Sequence, residues 1–364
     1  MKIARVVFEL DFGGVEKVTE LILKGFRSIP TMSIQTISLG KGGRISEKLT
    51  GEGYLVFVLN QKAKIPDFFL IYQLAKLFRK EGFDVVHTVG AEANFHGLLA
   101  AAIAGVPLRI GEEIGFPKHH FLYRWIFSFT YRLAHRVICV SEAVRRQLFQ
   151  IGELPLQRSQ VVYNPIELPE VKQKLVQEGE AIEFITISRL TEIKNISSVI
   201  QALAAIVHET DFRPHLRIVG DGEERKSLKK LVQELQVDRY VTFHGYQAEV
   251  FDLLTEADVF VLPSFTEGSS LALAEAMHAG LPSVVTRVGG ASEILGDSGS
   301  GVLIDPTSLD ELKKAMLFFK DLDLSVRQEM GMKAKKQAAR FSVDHYCQEL
   351  FKLYSDELSL ENRS

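Results

Sequence analysis

Short apolar, β-branched runs alternate with helical patterns along nearly the whole chain. Residues 3–8, 33–39, 54–58, 84–89, 108–111, 137–140 and 161–163 read as strands, with helical periodicity at 15–26, 68–80, 94–104 and 123–134 between them. The alternation breaks at Asn164-Pro165-Ile166-Glu167-Leu168-Pro169, and a polar stretch over 170–180 follows, the pattern of a linker. It then restarts. Strands are expected at 182–188, 215–219, 240–243, 259–262, 283–285 and 302–304, and helices at 196–209, 223–236, 250–255, 270–279 and 309–320, with one long helical tail after Leu324. Strand–helix alternation of this kind implies parallel sheets covered by helices on both faces. The expected architecture is α/β: two doubly wound, Rossmann-like domains facing across a cleft, with ligands beyond the carboxyl ends of the strands.

Composition sharpens this picture at a few points. The chain has 364 residues, 46% hydrophobic and 24% charged, with net charge −3, an ordinary globular balance that disfavours a cationic nucleic-acid binder. The charge is uneven: residues 1–168 hold 21 Lys and Arg against 15 Asp and Glu, and the remainder 22 against 31. Two cysteines, Cys139 and Cys347, make no disulfide framework, and no Cys/His zinc spacing occurs. The N-terminus lacks the apolar stretch of a secretory signal, and the longest charge-free run, 93–108, is too short to span a bilayer. A cytoplasmic protein is expected.

Candidate chemistry gathers in the loops after strands. Pro263-Ser264-Phe265-Thr266-Glu267-Gly268-Ser269-Ser270-Leu271 leads from a strand into a helix that Ser269 or Ser270 can cap, and Glu275 follows on it. Backbone N–H groups at that helix start suit polar or anionic ligand groups. Glu267 and Glu275 read either as a capping acid and a surface Glu or as two carboxylates reaching one elongated ligand. In Ser188-Arg189-Leu190-Thr191-Glu192-Ile193-Lys194-Asn195, Arg189 can fork across two phosphate oxygens and Lys194 can add a point charge, unless both are solvated loop cations. The Gly13-Gly14 turn after the first strand allows a phosphate or sugar to approach a helix start. A dinucleotide fingerprint fails, because Gly220-Asp221-Gly222 is followed by Arg225 where a third glycine belongs. His87, ending Asp84-Val85-Val86-His87, reads either as a structural histidine or as one projecting from a strand end into the cleft, with His96, Glu112 and Glu113 nearby. No G-x-S-x-G elbow or P-loop is present.

In this order, the segments resemble the retaining glycosyltransferases of family four, which have the two-domain GT-B fold. The resemblance rests on Gly13-Gly14, Asp84-Val85-Val86-His87, Val137-Ile138-Cys139-Val140-Ser141-Glu142, Val162-Tyr163-Asn164-Pro165-Ile166, Ser188-Arg189-Leu190 with Lys194-Asn195, Gly220-Asp221-Gly222, Phe243-His244-Gly245, and Glu267 to Glu275 as E-x(7)-E. It implies an N-terminal acceptor-side domain over 1–165, a donor-binding domain over 166–341, and a final helix at about 342–364 packed back on the first through Tyr346, Leu350, Leu353 and Tyr354. It further implies a nucleotide-diphosphate sugar, most simply a UDP-sugar, as donor rather than a cofactor. Arg189 and Lys194 would bind the diphosphate in place of a metal, Glu275 the ribose, and Glu267 with the backbone after Gly268 the sugar. The chain departs from the family pattern at Val89 and Ile114, where histidines are usual, and at Ser269-Ser270-Leu271.

The implied activity is retaining, metal-independent transfer of a hexosyl or N-acetylhexosaminyl unit to a glycan or lipid-linked acceptor, as in bacterial surface polysaccharide or lipopolysaccharide assembly. The alternatives are an epimerase or hydrolase acting on the same donor, or a catalytically silent nucleotide-sugar binder. Two clusters of cations and aromatics, Lys62 to Lys80 and Lys118 to Arg136, fit either core packing or docking on the inner face of an anionic membrane.

Overall fold

An apolar run with one arginine inside it forms the first strand, β1 (Lys2–Val7), and six more parallel strands build a sheet around it. The computed structural model describes residues 1–11, 13–117, 119–170 and 181–361. Phe12, Lys118 and most of the expected polar linker, 171–180, lie outside the described residues, as do the last three of the expected final helix.

The chain divides into two compact units, one of Met1–Ile166 with Phe341–Ser364, the other of Glu167–Arg340. In the first unit the other strands are β2 (Ser33–Ser38), β3 (Leu55–Val58), β4 (Val85–Val89), β5 (Leu108–Glu113), β6 (Arg136–Cys139) and β7 (Ser159–Val161). Their order is β3-β2-β1-β4-β5-β6-β7, with neighbours parallel throughout. The helices are α1 (Gly14–Phe26), α2 (Arg44–Gly51), α3 (Phe68–Glu81), α4 (Ala91–Ala104), α5 (Phe121–Leu133) and α6 (Glu142–Gln150). Helix α4 is apolar nearly all round because α3 and α5 flank it on the sheet. Neither α2 nor α6 was expected. Both are short, and α6 depends on Ser141, whose hydroxyl accepts from the Val144 N–H.

The second unit holds a parallel sheet in the order β10-β9-β8-β11-β12-β13. Its strands are β8 (Glu183–Ile187), β9 (His215–Val219), β10 (Val241–Gly245), β11 (Val259–Leu262), β12 (Ser283–Thr286) and β13 (Gly301–Ile304). Helices α7 (Ile196–Glu209), α8 (Arg225–Glu234), α9 (Phe251–Thr255), α10 (Leu271–His278), α11 (Gly289–Leu295), α12 (Leu309–Asp321) and α13 (Leu324–Ala338) complete it.

The single long tail expected after Leu324 is in fact two helices. The chain tightens into a 3-10 turn at Ala339–Phe341, and α14 (Val343–Glu361) then belongs to the first unit. The Ile166 N–H donates to Phe341 O at 2.8 Å, and Ile166 bridges Ser342. Tyr346, Leu350, Leu353 and Tyr354 are buried as α14 packs on α1 and β5. The approach to α1 is close: a Cβ on Gly25 would stand 2.6 Å from Cys347 Sγ, so the glycine admits the helix.

Candidate active site

Beyond the carboxyl end of β8 the backbone is pinned and one side chain is left out. Leu190 is fully buried, its N–H donates to Asp221 O at 2.9 Å, and its carbonyl accepts from the Glu224 N–H at 2.9 Å. Arg189, between strand and pin, is exposed and carries no ion pair among the described residues. The two loops cross at backbone contact. A Cβ on Gly220, at φ +133°, would lie 1.8 Å from Ser188 O, and one on Gly222 2.3 Å from Leu190 O. The first requirement of these glycines is therefore to seat the Arg189 loop. Asp221, itself exposed, accepts from the Gly222 N–H at 2.8 Å and from Arg225 at 2.7 Å.

Asn195 ties this loop to the one after β11. It sits in the left-handed region at φ 52°, and its side-chain amide donates to Pro263 O at 3.2 Å. The Phe265 N–H donates to Ile193 O at 2.9 Å. The two loops thereby bring Lys194 Nζ to 2.7 Å from Glu267 Oε2, which also accepts from the Ser264 hydroxyl at 3.2 Å. Lys194, expected as a point charge for a ligand, is thus balanced by a buried carboxylate, and Arg189 is not. Gly268 and Ser269 are half-buried between Glu267 and α10, Leu271 is the half-buried first residue of that helix, and Ser270 caps it by accepting from the Leu273 N–H at 3.2 Å. Glu275 is half-buried one turn further on, between the buried Ala274 and Ala276.

One N-terminal expectation needs correction. His87 does not project from a strand end. It lies in the middle of β4, is 1% exposed, and its Nδ1 is hydrogen-bonded to the Tyr354 hydroxyl at 2.6 Å beneath α14. Its Nε2 stands 3.0 Å from Glu112 Oε2, and Glu112 pairs at 3.3 Å with the equally buried Arg5. Burial, with the Arg5 charge, holds His87 below the usual imidazole range; Glu112, which burial alone would raise, is held below the carboxylate range by Arg5 and His87. The whole group is a buried tie between β1, β4, β5 and α14, so the structural reading of His87 is the right one.

The Gly13-Gly14 turn, expected to admit a phosphate or sugar, has a carboxylate beside it. Gly13, at φ +149°, leaves room for its own helix's Glu16, whose Oε2 stands 2.5 Å from where a Cβ would be. That carboxylate belongs to the first turn of α1, so the helix start has an acid of its own beside it.

A cavity of about 400 Å³ opens nearby, at the carboxyl ends of β1, β4 and β5. Glu9, Glu16, Glu92, Glu113 and His119 line it together with apolar side chains such as Phe8 and Phe116. Glu113, last residue of β5, is 5% exposed; its Oε2 accepts from the Tyr131 hydroxyl at 2.6 Å and its Oε1 from the Ile114 N–H at 3.1 Å. Burial pushes Glu113 up to about 7, against the pull of those two hydrogen bonds. Behind it, His119 Nδ1 is 2.8 Å from the buried Glu153. The sequence reading placed Glu113 near the site but gave it no role, and missed Tyr131 and Arg5. The available signals were a charge in the middle of an apolar strand and an acid pair ending one.

Residues 12–169 match the model described as Glycosyltransferase Family 4, and 168–337 match that of Glycosyl transferases group 1. A UDP-Gal:alpha-D-GlcNAc-diphosphoundecaprenol alpha-1,3-galactosyltransferase from Escherichia coli is 26% identical over 87% of each chain. An N-acetyl-alpha-D-glucosaminyl L-malate synthase from Bacillus anthracis is 29% identical over 74% of each. The crystal structure of Anabaena Alr3699/HepE in complex with UDP superposes with a TM-score of 0.82 at 21% identity, over 98% of this chain and 100% of that one.

Proposed function

Because this chain belongs to glycosyltransferase family 4 and has its GT-B fold, we propose that it moves a hexosyl or N-acetylhexosaminyl unit from a UDP-sugar, with retention and without a metal, to a lipid-linked or glycan acceptor. The observation that carries this reading is in the second unit: Arg189, exposed and without an ion-pair partner among the described residues, shares the loop after β8 with Lys194, which is paired with Glu267 from the loop after the neighbouring parallel strand β11. Arg189 forks across the diphosphate, and the Lys194 ammonium, held by Glu267, gives its remaining protons to the same oxygens. Charge that grows on the leaving UDP is met by fixed cations, the role a divalent ion fills elsewhere. Glu275 accepts from the ribose hydroxyls, and the backbone between Gly268 and Leu271 holds the sugar.

Glu267, bonded by both Lys194 and Ser264, is engaged as a positioning carboxylate rather than poised as a nucleophile. This supports front-face attack. The bond from the anomeric carbon to the β-phosphate oxygen breaks as the acceptor oxygen bonds to that carbon on the same face, and the acceptor's proton passes to the leaving phosphate oxygen. A silent sugar binder, or an epimerase or hydrolase, is not favoured; the cations are placed for leaving-group charge in a family of transferases. A thermal-shift panel of nucleotide-diphosphate sugars tests the reading. The matching donor at a hundred times its Kd adds about 2.7 kcal/mol, a rise of roughly 5 to 10 °C, and no shift with any UDP-sugar would refute it.

The lipid-linked acceptor is supported by the first unit's surface. No helix among the described residues is long and apolar enough to cross a membrane. On α3, however, Phe68, Phe69 and Tyr72 are 76%, 63% and 64% exposed, and on α5 Phe121, Trp125 and Phe129 are 68%, 64% and 58% exposed. The core-packing reading fails for these six rings, although Phe127 and Tyr131 of α5 do face inward. Lys62, Lys64, Lys76, Arg79, Lys80, Arg124 and Arg132 are exposed on or beside the same two helices. We read this face as resting on the cytoplasmic side of an anionic bilayer, as befits an enzyme of surface-glycan assembly. The protein should co-sediment with vesicles containing anionic lipid, less so at high salt, and the Phe68→Ser/Trp125→Ser variant should stay in the supernatant. Equal retention by neutral and anionic vesicles would count against the docking face.

A further inference from the structure

The cavity in the first unit has a chemistry that the donor site does not use. It opens at the carboxyl ends of three neighbouring parallel strands, the position where such sheets hold ligands, and its volume of about 400 Å³ suits one sugar ring. Two helices, α1 and α4, begin at its edge, and bare helix starts would attract an anion. Each instead carries its own acid in the first turn, Glu16 and Glu92. Glu9 and Glu113 add two more carboxyls, and no Lys or Arg stands among the described lining residues. Behind the wall Glu153, 1% exposed, keeps one oxygen without a hydrogen-bond partner among the described residues.

A ligand carboxylate or phosphate placed here would lose water to meet like charge. A polyol gains instead, since hydroxyls donating to carboxylates make strong, short hydrogen bonds, and Phe8 and Phe116 offer apolar faces to ring C–H groups. We propose that this cavity seats the acceptor's sugar, that the sugar it takes is uncharged or carries an amine, and that Glu113 positions it. The inference rests on the transferase reading above. Glu113 suits the task because Tyr131 and the Ile114 N–H fix its carboxyl, one partner on each oxygen, with a second lone pair on each left for a ligand. Glu113, Tyr131, His119 and Glu153 are the ionisable groups that face one another there. The acceptor named for the Bacillus relative, L-malate, is a dicarboxylate, and this cavity is built against it.

Ligand-observed NMR on the full chain with UDP bound tests this, using methyl glucoside, methyl glucosaminide, methyl glucuronide and L-malate as probes. The first two should bind at least tenfold tighter than the last two, and the preference should fall below threefold in Glu9→Gln/Glu92→Gln. Glu113→Gln should weaken glucoside binding about tenfold at unchanged UDP affinity and melting temperature, and Glu113→Asp should recover part of it. Anionic probes binding as well as neutral ones, no binding by any probe, or a preference that survives in the double variant would overturn the proposal. Loss of UDP binding by the unaltered protein would sink the transferase reading instead, so the two failures are separable.

Discussion

Arg189→Ala should lower kcat/KM for the sugar donor by about 10²- to 10³-fold while leaving the melting temperature within a degree of the parent protein. The size follows from removing one fixed charge from a developing leaving group, typically about 3 to 4 kcal/mol of transition-state stabilisation. The lack of a stability cost follows from the side chain itself, which is exposed and has no ion-pair partner among the described residues to strand. Lys194→Ala should have a similar kinetic effect with a different signature. It leaves Glu267, 8% exposed, without its cation, so this variant should also melt lower and bind donor more weakly. The double variant should lose less than the product of the two, because both cations act on one diphosphate. Steady-state kinetics and calorimetry on the three proteins decide the matter; near-normal turnover in both single variants would remove the cations from the mechanism.

Much of this was legible in the chain, for reasons that can be stated residue by residue. Parallel sheets bury both faces, so their strands are short apolar runs that stand out against helical periodicity, and loops after such strands are where ligands sit. Arg189, Lys194 and Glu267 were identifiable because all three stand in loops that lead from a strand into a helix. The sequence was silent on pairing. Nothing local says that Lys194 and Glu267, 73 residues apart, share a hydrogen bond, since Asn195 and Phe265 bring their loops together through backbone contacts. His87 misled because its last neighbours in sequence, not its partners in space, suggested a strand end. The strand expected over 84–89 already carries His87 inside it, and a tyrosine 267 residues later occupies its Nδ1. At Gly13 the sequence did not show that a carboxylate three residues on folds back beside the glycine. The acidic character of the cavity was hidden because Glu9, Glu16, Glu92 and Glu113 come from four separate places in the chain: a loop, two helix starts and a strand end.

The buried tie under α14 should be the costliest place in the first unit to disturb. Glu112→Ala strands Arg5, 2% exposed, without its carboxylate, and breaking such a pair costs about 3 to 5 kcal/mol. Tyr354→Phe removes one hydrogen bond to His87 and should cost about 1 to 2 kcal/mol. Acid should act on the same place, and both signs agree. Glu112 titrates lower in the folded chain than in the unfolded one, so its contribution is complete above the ordinary carboxylate range and is lost as pH falls through the folded value. His87 is also held low, so its neutral form favours the folded state fully above about 6.5 and progressively less as the unfolded chain gains a proton below that. Arg5, Tyr346 and Tyr354 are the other ionisable groups facing this pair, and none changes charge in that range. Between pH 7 and pH 5 only the His87 contribution is being lost, so the protection factors of α1, β5 and α14, with each amide corrected for its intrinsic exchange rate, should fall together over that interval, and in Tyr354→Phe should be lower already at pH 7. Exchange that quickens in α14 alone, with α1 and β5 still protected, would mean that the last helix caps the unit without holding it together.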